Sequence, residues 1–165
     1  MTTEVNAETS KFQNAEIAPM HTAEHLLNQT MTRLFGCERS HNAHIERKKS
    51  KVSYRLSRCP SEKEVADICD KMNALIAADL PVRIEFCSPK SLPEGVSTDK
   101  LPDGAMEAES VRLVRIGDYD VCACIGLHVS HTSQLGRFVL LGTNWDAENG
   151  SFRIRFKFEG ASFAD

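Results

Sequence analysis

The sequence predicts an α+β fold: a mainly antiparallel sheet packed with two principal helices. Three observations carry this. Alternating, strand-like runs outnumber helical ones, those runs follow one another closely enough to pair locally, and two stretches place apolar residues at helical spacing. A chain of 165 residues is most simply one domain, large enough to bury its own core without staples. With 41% hydrophobic and 26% charged residues it has the composition of an ordinary globular protein, not a fibrous or disordered one. The expected organisation is a flexible polar tail over residues 1–10 and a single domain over residues 11–165.

Residues 12–18 either extend the first helix backwards or cap it. Pro19 suits a first helical turn, where its missing N–H costs nothing. Ala23, Leu26, Leu27, Thr30, Met31, Leu34 and Phe35 then supply an apolar face until Gly36. Ile45 and Glu46, and then Val52, Tyr54 and Leu56, alternate as strands around a turn at 48–51. Ser61 and Glu64 form a capping box, followed by Val65, Ile68, Met72, Leu75 and Ile76 at helical spacing as far as Asp79. Pro81 stops that helix, and Val82, Ile84 and Phe86 alternate as a strand. Residues 88–110, rich in Pro, Gly and acids, read as a long loop. Residues 111–116 and 119–123 read as strands about Gly117-Asp118, with one turn of helix near 130–134. Residues 138–141 pair with the strand of Phe152, Ile154, Phe156 and Phe158 across a turn holding Asn149-Gly150.

The chemistry begins with His21 and His25. At i and i+4 on a helix the two imidazoles project from one face, one turn apart, so a single metal ion can accept both. A hundred residues later Cys124 and His128 offer a thiolate and an imidazole just after a strand. Two donors from a helix and two from a distant loop make a site that exists only in the folded chain, and zinc accepts this mixed N/S set. Cys122 competes with Cys124, because alternation puts both on one side of an extended strand. Cys37, Cys59, Cys69 and Cys87 read as core or surface thiols. No basic–apolar–small pattern opens the sequence and no apolar run approaches the length of a membrane span. The expectation is a reduced, cytoplasmic setting without membrane contact.

The run His21-Thr22-Ala23-Glu24-His25-Leu26-Leu27, together with Cys124, Gly126, His128, Val129, Thr132, Leu135 and Gly136, resembles the editing domain shared by alanyl- and threonyl-tRNA synthetases. The likeness extends to its free-standing form, the alanyl-tRNA editing proteins, and runs from about residue 20 to 158. It implies that the thiolate is Cys124 and that His21, His25, Cys124 and His128 hold one zinc. It further implies hydrolysis, in trans, of the ester joining a wrong amino acid to tRNA, with seryl- or glycyl-tRNA for alanine as the usual target. Zinc can lower the pKa of bound water from 15.7 to about 7. Equally, it can position the substrate's amine or hydroxyl while a free water attacks.

Glu24 departs from the resemblance, which has a neutral residue there. It is the candidate catalytic base, against a simpler reading as a solvated carboxylate or one holding an imidazole N–H. His-x-x-Glu-His is also the signature of a class of metalloproteases with Glu24 as base and a later glutamate as ligand. That rival gives Cys124 and His128 nothing to do. The resemblance places Asn42 where the editing proteins often carry a Gln or Thr facing the amino-acid pocket, so that its amide could read a small polar substrate; otherwise it is an ordinary turn asparagine. Gly126 and Leu127 are the other substrate-binding candidates; Ile125 and Leu127 stand where the family pattern has a glycine and a threonine, which weakens the expectation of serine specificity. His41, His44 and His131 receive no metal role.

Net charge is −3, so the chain is not broadly basic. Its cations nonetheless cluster at Arg47, Lys48, Lys49 and Lys51, with Arg153, Arg155 and Lys157 alternating along the last strand. Both sets are candidates for tRNA phosphates, against a solvated turn and an ordinary outer sheet face. A different class of function stays open beside the enzyme: a relative that keeps the metal for structure and binds RNA or a partner without turnover.

Overall fold

The computed structural model of the protein describes residues 13–101 and 104–161, with backbone alone at 99 and 100. The expected tail over residues 1–10 lies outside them. The class is α+β, but the strands form two four-stranded sheets where the sequence suggested one.

Helix α1 (Ala18–Phe35) has Pro19 in its first turn, as expected, and follows a short 3-10 turn at Ala15–Ile17. Asn14 caps that turn, its side chain accepting from the Glu16 N–H at 2.9 Å. Gly36 ends α1 at φ +67°, a conformation that favours glycine, and its N–H closes on Thr32 O at 2.9 Å. Every residue from Ala18 to Asn28 is buried. An amphipathic surface helix exposes one side; this one is enclosed all round at its N-terminal half. His21, Thr22, Glu24, His25 and Asn28 are therefore taken out of water, which demands partners for them.

The first sheet, in order β1-β2-β8-β7, is antiparallel and comprises β1 (Asn42–His44), β2 (Ser50–Arg55), β7 (Arg137–Asp146) and β8 (Ser151–Glu159). Ile45 and Glu46 lie in the connection rather than in a strand. Val52, Tyr54, Phe152, Ile154 and Phe156 face inward, and the Phe138 and Phe156 rings stack at 5.3 Å. The second sheet, β3-β5-β6-β4, contains β3 (Val82–Cys87), β4 (Ser97–Lys100), β5 (Val111–Ile116) and β6 (Asp120–Cys124). Its β4 is a correction to the long-loop reading of 88–110. This strand runs parallel to β6 and lacks apolar alternation; it forms because β6 presents a free edge.

Helix α2 (Glu62–Ala77) packs against α1 and β7. Its capping box is present, with Glu64 N–H to Ser61 Oγ at 3.2 Å and Ser61 N–H to Glu64 Oε1 at 2.9 Å. Arg58 also grips the Glu64 carboxylate, at 2.6 and 2.8 Å. The guanidinium first, then the Ser61 N–H, lowers that carboxyl from its ordinary 4.5 to about 2. A depressed carboxylate stabilises the fold fully above its unfolded-state pKa, and the contribution is lost as pH falls through the folded value. Glu64→Gln should therefore flatten the acid limb of the stability profile between about pH 5 and 2, read by urea unfolding at low salt. A profile parallel to that of the unaltered protein counts against this role.

Two motif residues fix the segment after β6 to the rest of the core. Thr132 Oγ1 accepts from Leu80 N–H and donates to Leu75 O, both at 2.8 Å, and Thr132 N–H bonds Leu80 O at 2.9 Å. Gly136 sits at φ +79°, and a Cβ there would lie 2.2 Å from Glu159 O. No other residue fits. The helical turn expected near 130–134 is a 3-10 turn at Thr132–Leu135.

Candidate metal centre

Enclosure of α1 puts His21 and His25 in the interior, and β6 ends so that Cys124 and then His128 meet them. One donor atom from each of His21, His25, Cys124 and His128 lies within 4.8 Å of every other. The His21 and His128 rings stack at 4.3 Å, and the His25 ring stands edge-on to both, at 4.9 and 4.5 Å. Cys124 Sγ is 3.4 Å from His21 Nε2 and accepts from Gly126 N–H at 3.4 Å.

Hydrogen bonds fix which ring nitrogens face the cluster. His21 Nδ1 meets Leu127 O at 3.3 Å. A carbonyl only accepts, so Nδ1 carries the proton and Nε2 offers its lone pair beside Cys124 Sγ. Thr22 Oγ1 donates to Ala18 O at 3.0 Å and accepts from Val129 N–H at 3.2 Å. With its one proton used, it takes the Nδ1–H of His128 at 3.0 Å, which leaves His128 Nε2 as a donor atom. Three imidazoles and a thiol, clustered in a largely buried site, fit zinc in kind and number. Cys122 takes no part: it pairs with Ser97 of β4, and its Sγ lies 3.8 Å from Ser97 O.

The loop that carries Cys124 is braced from β5. Arg112 Nη1 donates to Cys124 O at 2.7 Å and Gly126 O at 2.8 Å, and Gln13 Nε2 donates to Ile125 O at 2.6 Å. Behind His25 lies an ion pair that sequence reading missed. Asp120, with no exposed side-chain surface, has Oδ2 at 3.8 Å from His25 Nδ1 and receives Arg39 at 2.7 and 3.3 Å and Gln29 at 3.1 Å. Burial alone would lower Arg39; the Asp120 charge, with help from Cys122, turns its shift upward. A signal for Asp120 existed, since it shares the inward face of β6 with Cys122 and Cys124. Arg39, in an irregular connection, gave none.

Glu24 is fully buried, which overturns its reading as a solvated carboxylate. Position i+3 from His21 would be wet on a surface helix, and α1 has no wet side at that turn. One turn later Asn28 accepts from the Tyr54 hydroxyl at 2.7 Å, and burial first, then the Glu24 charge, raises that hydroxyl well above its ordinary value.

The other expected site residues lie elsewhere. Asn42 is exposed on edge strand β1 and lines an open groove of about 530 Å³ with Arg39, His41 and Arg153. Gly126 is buried, and Leu127 half-buried, on the cysteine loop. Arg47, Lys48, Lys49 and Lys51 line a groove of about 740 Å³ with His44 and Arg155. Lys51 stands opposite Arg155 in the β2–β8 register, and Arg47 pairs with Glu16 at 3.6 Å. Among the described residues no helix is long and apolar enough to cross a membrane.

Residues 111–154 match the family described as the threonyl and alanyl tRNA synthetase second additional domain. An alanine–tRNA ligase of Halorubrum lacusprofundi is 30% identical over 143 residues, which is 86% of this chain and 15% of that protein. Another, from Treponema pallidum, is 31% identical over 127 residues, 76% of this chain and 20% of the ligase. The alanyl-tRNA editing protein AlaX-L of Pyrococcus horikoshii is 30% identical over 137 residues, covering 83% of this chain and 32% of that protein. The chain thus spans a third or less of each of these relatives. Cys124, Gly126, His128, Thr132 and Gly136 all fall within the matched segment, and the helix that brings His21 and His25 to them precedes it. Residues 111–154 thus carry the match to the second additional domain shared by threonyl and alanyl tRNA synthetases, and 76–86% of the chain is similar to these relatives.

Proposed function

We propose that the protein is a zinc-dependent hydrolase that cleaves the aminoacyl ester of mischarged tRNA in the cytoplasm, acting in trans, with seryl- or glycyl-tRNA for alanine as the class of substrate. One observation carries the reading: a thiol and three imidazoles, two of them with assigned tautomers, converge in a chain related to a protein named for alanyl-tRNA editing. His21, His25, Cys124 and His128 would hold the ion, which when bound supplies Lewis acidity to an ester or a water. The chain's own residues supply the rest. Leu127 fixes the His21 tautomer through its carbonyl while its side chain, with that of Ile125, is partly exposed on the same loop. We assign these two side chains, with Gly126, to the wall of the amino-acid site. Apolar walls there disfavour a hydroxyl only modestly, so preference for serine is weak. Asn42 is a candidate for the substrate's more distant parts. We read Glu24 as supporting the site rather than exchanging protons with the substrate, a reading that its full enclosure supports. We set the metalloprotease reading aside, because among the described residues the donors that cluster with the histidine pair are Cys124 and His128.

Four protein donors can also saturate a tetrahedral ion, as in structural zinc sites. That favours, as a second reading, a metal-stabilised RNA-binding relative without turnover. Release of amino acid from tRNA charged with serine, glycine, alanine or threonine, with and without a chelator, separates the two. Chelator-sensitive release from the seryl or glycyl forms is expected. Stoichiometric zinc with no release from any of the four selects the second reading.

The groove at residues 47–51 is assigned to tRNA phosphates, supported by the register that sets Arg155 beside Lys51. Replacing Arg47, Lys48 and Lys49 with neutral residues should weaken binding to all tRNAs alike. The salt dependence of binding should flatten by roughly one unit of slope for each phosphate the protein no longer neutralises. Filter binding from 50 to about 200 mM salt checks it, and unchanged affinity and slope would leave these residues as a solvated turn.

A further inference from the structure

We infer that Phe86 is the platform on which the terminal base of the acylated RNA stacks while its ester lies at the metal centre; this rests on the hydrolase reading above.

Phe86 is the most exposed of the large apolar side chains described, at 67%. It stands on β3, the edge strand of the second sheet, and the register defines its face. Val82, Ile84 and Phe86 lie opposite Ile116, Val114 and Arg112. Val114 and Ile116 are fully buried in the main core, so one end of this face is covered. The other end, at Phe86 and Arg112, is the end where β6 delivers Cys124. The next strand over repeats the pattern: Val114 pairs with Cys122 and Leu113 with Ala123, and one step along Arg112 reaches the Cys124 carbonyl at 2.7 Å. Phe86, Arg112 and Cys124 thus form a row across three adjacent strands. Two strand spacings put Phe86 roughly 10 Å from the backbone of the cysteine ligand. That is comparable with the reach from an esterified ribose to the far edge of its base.

Folding gives no reason for a phenylalanine here. Ile84, its neighbour on the same face, is also exposed, at 43%, so among the described residues no apolar cover reaches this end of β3. An exposed aromatic ring on the strand next to an arginine is a combination that suits a nucleotide, the ring taking the base and the cation lying within reach of the phosphate. Arg112, opposite Phe86 in the register, is bound to the Cys124 and Gly126 carbonyls, so the residue between the ring and the metal centre also positions the ligand loop. The basic groove at 47–51 opens elsewhere, on residues of the first sheet, and serves the body of the RNA. Phe86 serves only its end.

The test uses the zinc-loaded chain and a tRNA for alanine, charged or bearing a free 3′ end. Phe86→Ala should keep full zinc content and raise KM for deacylation about tenfold, with kcat little changed, as removal of one base–aromatic stack requires. Phe86→Trp should restore KM. Its added fluorescence, relative to the unaltered protein, should be quenched by tRNA ending in the terminal adenosine and not by tRNA lacking that nucleotide. An unchanged KM in Phe86→Ala, quenching that survives removal of the nucleotide, or a dimer of the unaltered chain that Phe86→Ala splits would each overturn the inference. In the last case β3 is a self-pairing edge. If the unaltered protein releases no amino acid, the hydrolase reading falls and this one with it. If it does release amino acid and Phe86→Ala matches it, only the platform is lost.

Discussion

Cys124→Ala should lose most of its zinc on purification, while Cys122→Ala should retain one ion per chain. Both thiols are buried on one face of β6, two residues apart, so burial does not distinguish them. Geometry does. Cys124 Sγ stands 3.4 Å from His21 Nε2 among the clustered donors, whereas Cys122 Sγ is directed to Ser97 O of the neighbouring parallel strand. Losing the thiolate removes the one anionic donor and leaves three imidazoles, of which His128 is the most exposed. Ligand binding to the native state is folding free energy, so Cys124→Ala should also melt earlier than the unaltered protein in zinc and alike in chelator. Elemental analysis of the three proteins, dialysed together, decides the matter. Zinc lost from Cys122→Ala instead would move the thiolate and break the assigned register. Full zinc in both variants would place the ion elsewhere.

What the sequence made legible was local or periodic. The limits of α1 follow from Pro19 and Gly36, and the start of α2 from the Ser61–Glu64 box. Strands β5 and β6 follow from alternation about Gly117-Asp118. The donor pairs were legible for the same reason: i, i+4 on a helix is a local statement, and Cys124 to His128 spans one loop. Misreadings came where the answer lay in other parts of the chain. Nothing in Ser97–Lys100 marks a strand until β6 offers it an edge, and nothing local divides eight strands into two sheets. The i+3 spacing from His21 lets Glu24 miss the ligand face, which on a surface helix means water; the fold encloses this helix. Asp120 and Arg39 form an ion pair 81 residues apart that no spacing rule reports.

That pair yields the second large effect. Arg39→Met should destabilise the metal-free protein by about 3–5 kcal/mol, because it strips a fully enclosed carboxylate of its ion-pair partner and leaves Gln29 as its remaining direct side-chain donor among the described residues. Asp120→Asn should cost less stability, since the charge is removed and the shape kept. Its main effect should fall on the metal. A carboxylate facing the outer nitrogen of a ligand histidine holds the ring's orientation and raises its basicity, and losing such a partner typically costs about 10–100-fold in metal affinity. Asp120 faces His25 Nδ1 from 3.8 Å, close enough for that electrostatic hold and for a direct bond after a small approach. Joining Arg39→Met to Asp120→Leu should recover most of the stability lost by Arg39→Met, since no buried charge is left unpaired. It should recover none of the zinc affinity. Urea unfolding in chelator measures the first quantity, and competition against a zinc-binding dye the second. If Asp120→Asn holds zinc as tightly as the unaltered protein, the pair serves packing alone and His25 is oriented by the walls around it.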